Sequence, residues 1–590
     1  MRKTYDAIII GSGAAAYSAA DWLFKENITD IAILTENRLS GTSRNTGSDK
    51  QTYYKLSMDG MTPDSPYKMA RDIFESGSCD GEKMYLQSVN STKCFLRLCD
   101  YGVGFPQDKF GGFPGYKTDH DNTVRATSIG PLTSKVMTEK LEEKVLTGNK
   151  TPLFDCRQVV EVLKDGKRVS GVVALNKNTD EFETYFARNV VCATGAPACI
   201  YENSVYPESQ HGMTGVLIEA GVRLCNYSQW QYGMASVDFR WNVSGSFMQV
   251  IPRFVSIDKD GNEFDFLNDC FKTAEEMCNN IFLKGYQWPF SFGRIEASSK
   301  VDIAVHNELK KGRKVYLDYT VNPKGYCFDK LNEESKSYLE KNGVTGSTPI
   351  ERLRQLNPKA IAVYSNHNID ISEEKLRIAV CAQHNNGGIY TDNNCETDVE
   401  GLYVIGEAGG TFGLARPGGT ALNDTQVSGL LCAKHIKEKS VNRTDTELSD
   451  ADLEKYKDFA VDNSVDYSYI KAEMSKSAAF LRNCEECTEL LGKISGILSD
   501  YPLKHKSLSD YFYDKDMLIS AKALLETVIG EMPLTGSRGG AVFMNDGKIT
   551  AENPEYRKYL TVTENGKVSF VEVKPVPETD EPFESYLNNI

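Results

Sequence analysis

At 590 residues the chain has length for a large buried core, and ordinary domain sizes imply about three or four domains. A formal net charge of -15 argues against nonspecific binding to nucleic acid or to an anionic membrane and fits a solvated acidic surface. Fifteen cysteines without scaffold-like rhythm are read as reduced thiols of a cytoplasmic protein, and the lack of any run of about 18 apolar residues predicts no transmembrane helix.

The first predicted elements are the apolar run within Tyr5-Asp6-Ala7-Ile8-Ile9-Ile10, a turn at Gly11-x-Gly13-x-x-Ala16, and an amphipathic helix over Ala19 to Phe24. Asp6 and the glycines make this start a buried strand and phosphate loop, where Met1-Arg2-Lys3 and the alanines would otherwise imitate a signal peptide. Gly11 allows the turn, Gly13 lets backbone approach a pyrophosphate, and small Ala16 permits close helix–strand packing. The next strand, Ile31 to Leu34, ends near Glu36, placed to accept a hydrogen bond from a ribose hydroxyl. Gln158 to Leu163 and Val169 to Leu175 flank Asp165-Gly166 as a hairpin.

From about Ser228 the texture becomes aromatic and turn-rich, through Trp230, Trp241, Phe247, Phe254 and Trp288, before a helix over Val301 to Leu309 and an extended Lys314 to Leu317. Strand and helix signals resume near Ile369 and close with a helix over Ala421 to Ile436. After Ser440 come a charged linker, helix-period segments at Ala472 to Leu498 and Met517 to Ile529, and a hairpin around Asn565-Gly566.

Paired with the late Gly406-Glu407-Ala408-Gly409-Gly410, the N-terminal fingerprint points to FAD. Four separated motifs carry a family resemblance: Gly11 to Ala16; Cys192-Ala193-Thr194-Gly195-Ala196; His384-Asn385-Asn386-Gly387-Gly388; and Gly406-Glu407-Ala408 through Arg416-Pro417-Gly418-Gly419-Thr420-Ala421-Leu422. Ser537-Arg538-Gly539 is a fifth. On these the chain resembles the flavoprotein subunits of fumarate reductases and succinate dehydrogenases, a family that includes aspartate oxidases and soluble enoate-type reductases. The resemblance implies an α/β fold with a Rossmann-like FAD-binding domain formed from two segments, 1–225 and 365–440. It further implies an inserted α+β capping domain over 226–364 and a C-terminal helical region over 441–590 ending in the small hairpin.

The expected FAD contacts are Gly11, Gly13, Ala14, Ala15, Glu36, Ser43, Gly47, Thr194, Gly195, Gly406, Glu407, Gly419, Thr420, Ala421 and Leu422. Glu407 would hold a ribose or ribityl hydroxyl, by resemblance. A reduced flavin is largely anionic around N1 and the C2 carbonyl, and a helix starting at Gly418-Gly419-Thr420 would direct its dipole there, an effect of about 0.3 to 2 kcal/mol. The segment Gly41 to Gly47 has no histidine where the respiratory enzymes carry their flavin link, so FAD is expected to be non-covalent.

Arg416 precedes the flavin-facing glycines, and arginine grips a carboxylate with two parallel donors. By resemblance it binds one substrate carboxylate, and His384 donates to the same carboxylate or to a carbonyl oxygen. Two positions depart from the family. Gly233 stands where a histidine helps bind a second carboxylate, and Ser298-Ser299 replaces the Arg-Asp pair whose arginine delivers the proton. Arg294 and Lys300 are the nearby candidates for that proton, with a tyrosine or bound water as alternatives.

Lys117-Thr118-Asp119-His120-Asp121 with Arg125 is read as a solvated or FAD-supporting loop, with a substrate contact as the alternative and no metal site. Cys484-x-x-Cys487 is read as two packed thiols, without iron–sulfur spacing elsewhere, so electrons should come from reduced flavin, NAD(P)H or a redox protein. The functional expectation is hydride transfer between flavin N5 and a carbon adjacent to a carboxyl or carbonyl group, on a substrate other than fumarate or succinate. The alternatives are an amine or amino-acid oxidase or dehydrogenase, and a flavin electron-transfer subunit of a larger complex.

Overall fold

The computed structural model describes residues 4–118, 120–440 and 453–578. At its centre is a parallel sheet in the order Leu402–Val404, Val190–Cys192, Ala7–Ile10, Ile31–Leu34, Leu153–Phe154. The first four of these strands are buried throughout, which explains their unbroken apolar sequences: such strands are covered on both faces. Gly11 leaves strand Ala7–Ile10 at φ +115°, and a Cβ there would lie 2.6 Å from the Ala193 carbonyl oxygen. A side chain at this turn would therefore push the fingerprint away from the Ala193-Thr194-Gly195 turn beside it.

Strand Leu402–Val404 comes from the later segment, and so does the helix Thr420–Ser440 that covers the sheet beside helix Ala14–Lys25. Gly429 sits at the crossing, where a Cβ would be 2.9 Å from Ala19 N and Ser18 Oγ. Buried Arg97 ties the same two helices together, donating to Asp21 at 3.1 Å, Ser18 Oγ at 2.9 Å and Gln426 Oε1 at 2.6 Å. The expected hairpin is present as Arg157–Asp165 and Arg168–Asn176 within a separate four-stranded sheet.

A second layer is a six-stranded sheet in the order Trp241–Asn242, Trp230–Ser236, Leu376–Asn385, Lys314–Asp318, Arg253–Ile257, Glu263–Phe264. Strand Leu376–Asn385 lies in the middle of it, so this sheet draws on chain beyond the expected boundary at 364. The same strand ends at His384 and Asn385, which carries the sheet directly into the site.

In the tail, the periodic stretch Ala472 to Leu498 is not one helix. Helix Ser468–Ser477 stops, Leu481–Asn483 pairs in parallel with Val542–Asn545, and helix Cys484–Ser499 restarts with the Asn483 side chain accepting from Glu485 N and Glu486 N. The apolar period continues because buried residues of both helices, Ile470 and Met474 of the first and Cys487, Leu490 and Ile494 of the second, join one core. The second periodic stretch is the middle of helix Leu508–Thr535, and the terminal hairpin is Tyr559–Glu564 with Lys567–Glu572. Of the charged linker expected between Ser440 and Ala472, residues 441–452 lie outside the described residues, and the rest includes a short turn at Glu454–Tyr456 and strand Ala460–Val461, paired with Lys504–His505. Arg538 of the Ser-Arg-Gly motif is fully buried, bonded to Glu531 at 3.1 Å and Thr561 at 2.9 Å, and Glu531 also accepts from Ser228 and Gln229. The motif thus ties the tail to the chain entering strand Trp230–Ser236.

Asp424, the fifth residue of helix Thr420–Ser440, is buried and accepts from Gln87 Nε2 at 2.6 Å. Burial pushes its carboxyl pKa up to about 7. The folded chain therefore holds a proton that the unfolded chain, near pKa 4, releases, and this site loses stability as pH rises from about 4 to 7. We predict that Asp424→Asn gains on the wild type over that window, by at most about 1.4 kcal/mol per pH unit. Urea unfolding at pH 5 and pH 7.5 checks this; a difference that stays constant with pH contradicts it.

Candidate dinucleotide and substrate site

One continuous cleft runs from the N-terminal fingerprint to the second sheet, and Gly11, Gly13, Ala14, Ala15, Glu36, Ser43, Gly47, Thr194, Gly195, Glu407, Gly419, Ala421, Leu422, His384 and Arg416 all line it. Gly406 and Thr420 stand just behind the wall. Gly406 has φ +61° and donates its N–H to Ser428 Oγ at 3.0 Å, and Thr420 donates to Pro417 O at 2.8 Å.

At one end, helix Ala14–Lys25 begins after Gly13 without a side-chain cap, and Ala14 N donates to Ser43 Oγ at 3.2 Å. Uncapped N–H groups at the start of a twelve-residue helix form an anion site, and a glycine there leaves space for a pyrophosphate. Glu36 accepts from Tyr513 O–H at 2.6 Å, and burial raises its pKa above the ordinary carboxylate range. Tyr513 stacks on His211 at 3.8 Å and accepts from Lys177 Nζ at 2.8 Å. The tail thus closes over this end of the cleft, which no local signal in the sequence announced.

Midway, Gln210 joins two predicted segments, donating to Thr194 O at 2.6 Å and accepting from Thr42 Oγ1 at 3.1 Å. Glu407 accepts from Asn385 N at 2.9 Å and from Tyr206 O–H, while burial pushes its carboxyl up to about 7. Gly419, at φ +96°, turns the chain into helix Thr420–Ser440, so that the helix's first residues Ala421 and Leu422 face the cleft. Two helix N-termini therefore meet one elongated cleft, with an acid near the first and a second acid between them. These residues fit a dinucleotide whose pyrophosphate and ring system each need positive partial charge.

At the far end, Arg416 and His384 are both buried and in contact, Arg416 Nε donating to His384 Nδ1 at 3.1 Å. A guanidinium cannot accept, so Nδ1 carries the lone pair and the ring proton is on Nε2. Asn386 Oδ1 also lies 3.1 Å from Nδ1 but can only accept, so in this tautomer it makes no hydrogen bond there, and the Arg416 donor decides the assignment. Burial, then the Arg416 charge, holds the His384 pKa well below its ordinary value, so the ring is neutral at pH 7. Its Nε2 is buried, has no hydrogen-bond partner, and lies 3.9 Å from Glu407 Oε1.

Gly233 is in strand Trp230–Ser236, opposite Cys381. A Cβ at Gly233 would come 2.5 Å from the Trp288 ring, whose Nε1 donates to Met234 O at 2.9 Å. Trp288, Pro289, Gln231 and Gln383 line the cleft here. Trp288 is held from behind by fully buried Lys284, which donates to Trp288 O at 2.6 Å and pairs with Asp302 at 2.9 Å. Buried Ser298 donates to Gln287 Oε1 at 2.8 Å.

Of the two basic candidates, Lys300 is not brought to the cleft: its ammonium lies over the Phe271 ring, 5.4 Å from the centroid. Arg294 does not line the cleft wall either, but its NH1 is buried without a hydrogen-bond partner. Desolvation by the protein around it, then the charges of Arg294 and Arg416, lowers the pKa of His120, although part of the side chain is open to solvent. Arg125, read with the ionisable loop, is instead a fully buried tie, bonded through Nε and NH2 to Asp64 at 2.8 and 2.7 Å. The segment around it is a hairpin, Tyr116–Thr118 with Asp121–Thr127.

A family model described as FAD binding domain matches residues 6–422, and the chain belongs to that family. It is similar to an L-aspartate oxidase 2 of Ralstonia nicotianae, 22% identical over 446 residues that cover 74% of this chain and 72% of that protein. An FAD-dependent oxidoreductase of Methanocaldococcus jannaschii is 23% identical over 550 residues, covering 89% and 91%. Among solved structures, an E. coli quinol fumarate reductase chain shares the fold at TM-score 0.73 and 16% identity, covering 98% of each chain. The resemblance carried by the motifs therefore holds: the chain is an FAD-dependent oxidoreductase of the fumarate reductase and aspartate oxidase family. No described helix is long and apolar enough to cross a membrane.

With no histidine in 41–47, acid precipitation of the purified protein should leave one FAD per chain in the supernatant. Gly13→Val places a branched side chain against Ser43 Oγ, 3.0 Å from the added Cβ, and should abolish FAD occupancy. Flavin in the pellet, or full occupancy in Gly13→Val, contradicts this assignment.

Proposed function

We propose that the chain is an enoate-type reductase or dehydrogenase acting on a monocarboxylate or a bulkier carbonyl compound, not on fumarate or succinate. The residues around Gly13, Glu407 and Gly419 would hold FAD, which would supply hydride transfer at its N5. The observation that carries the reading is the Gly233–Trp288 contact: the indole occupies the space above Gly233 and leaves no room there for a second carboxylate ligand.

Arg416 binds the single carboxylate or carbonyl oxygen through its guanidinium. His384, neutral and with its proton on Nε2, donates to the same oxygen and withdraws electron density from the conjugated carbon. Arg416 secures this tautomer by occupying Nδ1, so one contact sets both the position and the donor role of the imidazole. Glu407, fixed by Tyr206 and Asn385, holds a hydroxyl of the cofactor rather than substrate. Lys300 is turned to Phe271, which leaves Arg294, with its buried and unpartnered NH1, a tyrosine or a bound water as the source of the proton. The FAD-binding domain is formed from 1–225 and 365–440, the second segment lending strand Leu376–Asn385 to the sheet of the cap around Trp230–Ser236. Electrons come from an external carrier such as reduced flavin, NAD(P)H or a redox protein.

A second reading, an amino-acid oxidase, is favoured by similarity to the L-aspartate oxidase of Ralstonia nicotianae. Peroxide release from amino acids in air separates it from the first.

Loss of one charge-assisted bond to a buried carboxylate costs about 1.5 to 3 kcal/mol, roughly ten- to a hundredfold. An absent positioned acid costs about a further 10²- to 10⁴-fold. With reduced viologen as donor, fumarate should therefore be reduced near background, while cinnamate- or acrylate-type acids are reduced faster. Arg416→Ala should lower kcat/KM on the best of them by at least about a hundredfold. Brisk fumarate reduction, or an unaffected Arg416→Ala variant, contradicts the proposal.

A further inference from the structure

Away from the dinucleotide cleft, the second sheet and the tail enclose another cavity, of about 460 Å³. Its basic side chains come from separate elements. His306 and Lys310 are four residues apart on helix Ser299–Lys310 and so share a face. Arg377 lies near the start of strand Leu376–Asn385, and Arg240 follows the neighbouring strand Trp230–Ser236; the two strands stay joined there by Val237 N donating to Arg377 O at 3.2 Å. Lys476 comes from helix Ser468–Ser477 of the tail.

Four cations at one cavity repel each other unless something anionic stands among them. Glu202 is the only carboxylate among the described lining residues. Glu208 and Asp238 reach Arg240 and Arg377 at 3.4 and 3.2 Å, but these acids are 88% and 61% exposed, and such pairs are screened by water and contribute little. Glu486 stands 3.7 Å from Lys310 with that oxygen buried, a less screened pair that offsets one of the four cations. His306, by contrast, is only 5% exposed, and its Nε2 is buried with no hydrogen-bond partner. Burial, then Lys310, lowers its pKa to about 4, so the ring is neutral at pH 7 and offers a donor without adding to the repulsion.

We propose that this cavity binds a phosphorylated small molecule, its phosphate held among Arg240, Lys310, Arg377 and Lys476 with His306 beneath it. A phosphate dianion is favoured over a single carboxylate because the cations approach from different elements, and tetrahedral oxygens meet more directions than two coplanar ones. The volume suits a sugar phosphate or nucleotide. A ligand there spans the second sheet and the tail, since Lys476 and the other three cations belong to different layers.

The test uses FAD-loaded protein, with inorganic pyrophosphate as probe and sodium chloride at matched ionic strength as control. Calorimetry should show saturable binding at one site with the flavin spectrum unchanged. The surface variant Arg377→Glu with Lys310→Glu should keep its FAD and weaken binding at least about tenfold, and His306→Phe should weaken it independently. Heat that follows ionic strength alone, equal affinity in the double variant, or binding that displaces FAD would overturn the proposal. Tighter binding of citrate than of pyrophosphate would overturn the phosphate assignment.

Discussion

The crossing of helices Ala14–Lys25 and Thr420–Ser440 is tight because Gly429 has no side chain where Ser18 and Ala19 approach, and because buried Arg97 bonds to both helices at once. Breaking such a buried charge pair by removing one partner leaves an uncompensated charge and costs several kcal/mol, about 3 to 5 by general experience. The register of the two helices is set by this contact. From it follows that two helix N-termini, one after Gly13 and one after Gly419, open on the same cleft. Each contributes modestly, about 0.3 to 2 kcal/mol toward a negative group, but together they give the cleft two fixed regions of positive potential. The position of Arg416, just ahead of the second helix, is set in the same way.

At the substrate end, orientation comes from buried polar groups rather than from apolar packing alone. Lys284 and Asp302 are both fully buried, and burial raises the Asp302 pKa to about 6 despite the ammonium beside it. A buried pair of this kind is weak evidence for stability. Its structural consequence is directional: the ammonium also bonds the carbonyls of Gln287 and Trp288, and thereby presents the indole to Gly233. Strand Leu376–Asn385 then joins this corner to the cofactor end, since Asn385 N bonds to Glu407 one residue after His384.

The parts legible in the sequence are those whose physics is local. Gly11 and Gly13 follow an apolar run and precede a helix, the Asp165-Gly166 hairpin alternates about a turn, and Gly419 precedes a helix start; each needs only neighbouring residues to be recognised. Tyr206, Gln210 and Tyr513 were not legible because their roles exist only after distant chain has folded, Tyr513 reaching Glu36 from the C-terminal tail. Arg294 and Lys300 were equal candidates by helical spacing, and the fold separated them by turning Lys300 to Phe271. The break at Leu481–Asn483 was hidden because buried residues of the helices on either side join one core, so the apolar period runs through it.

The central claim is that one anionic oxygen pair is gripped by Arg416 and His384 while Trp288 fills the place of a second. Ligand binding to the oxidised, FAD-loaded protein tests this without turnover, because a carboxylate settling beside the flavin shifts its visible absorbance. The account predicts saturable difference spectra with an aryl monocarboxylate, lost in Arg416→Met, and at least about tenfold weaker binding of fumarate and malonate. Dicarboxylates binding more tightly than the monocarboxylate, or a spectrum unaffected by Arg416→Met, would contradict it.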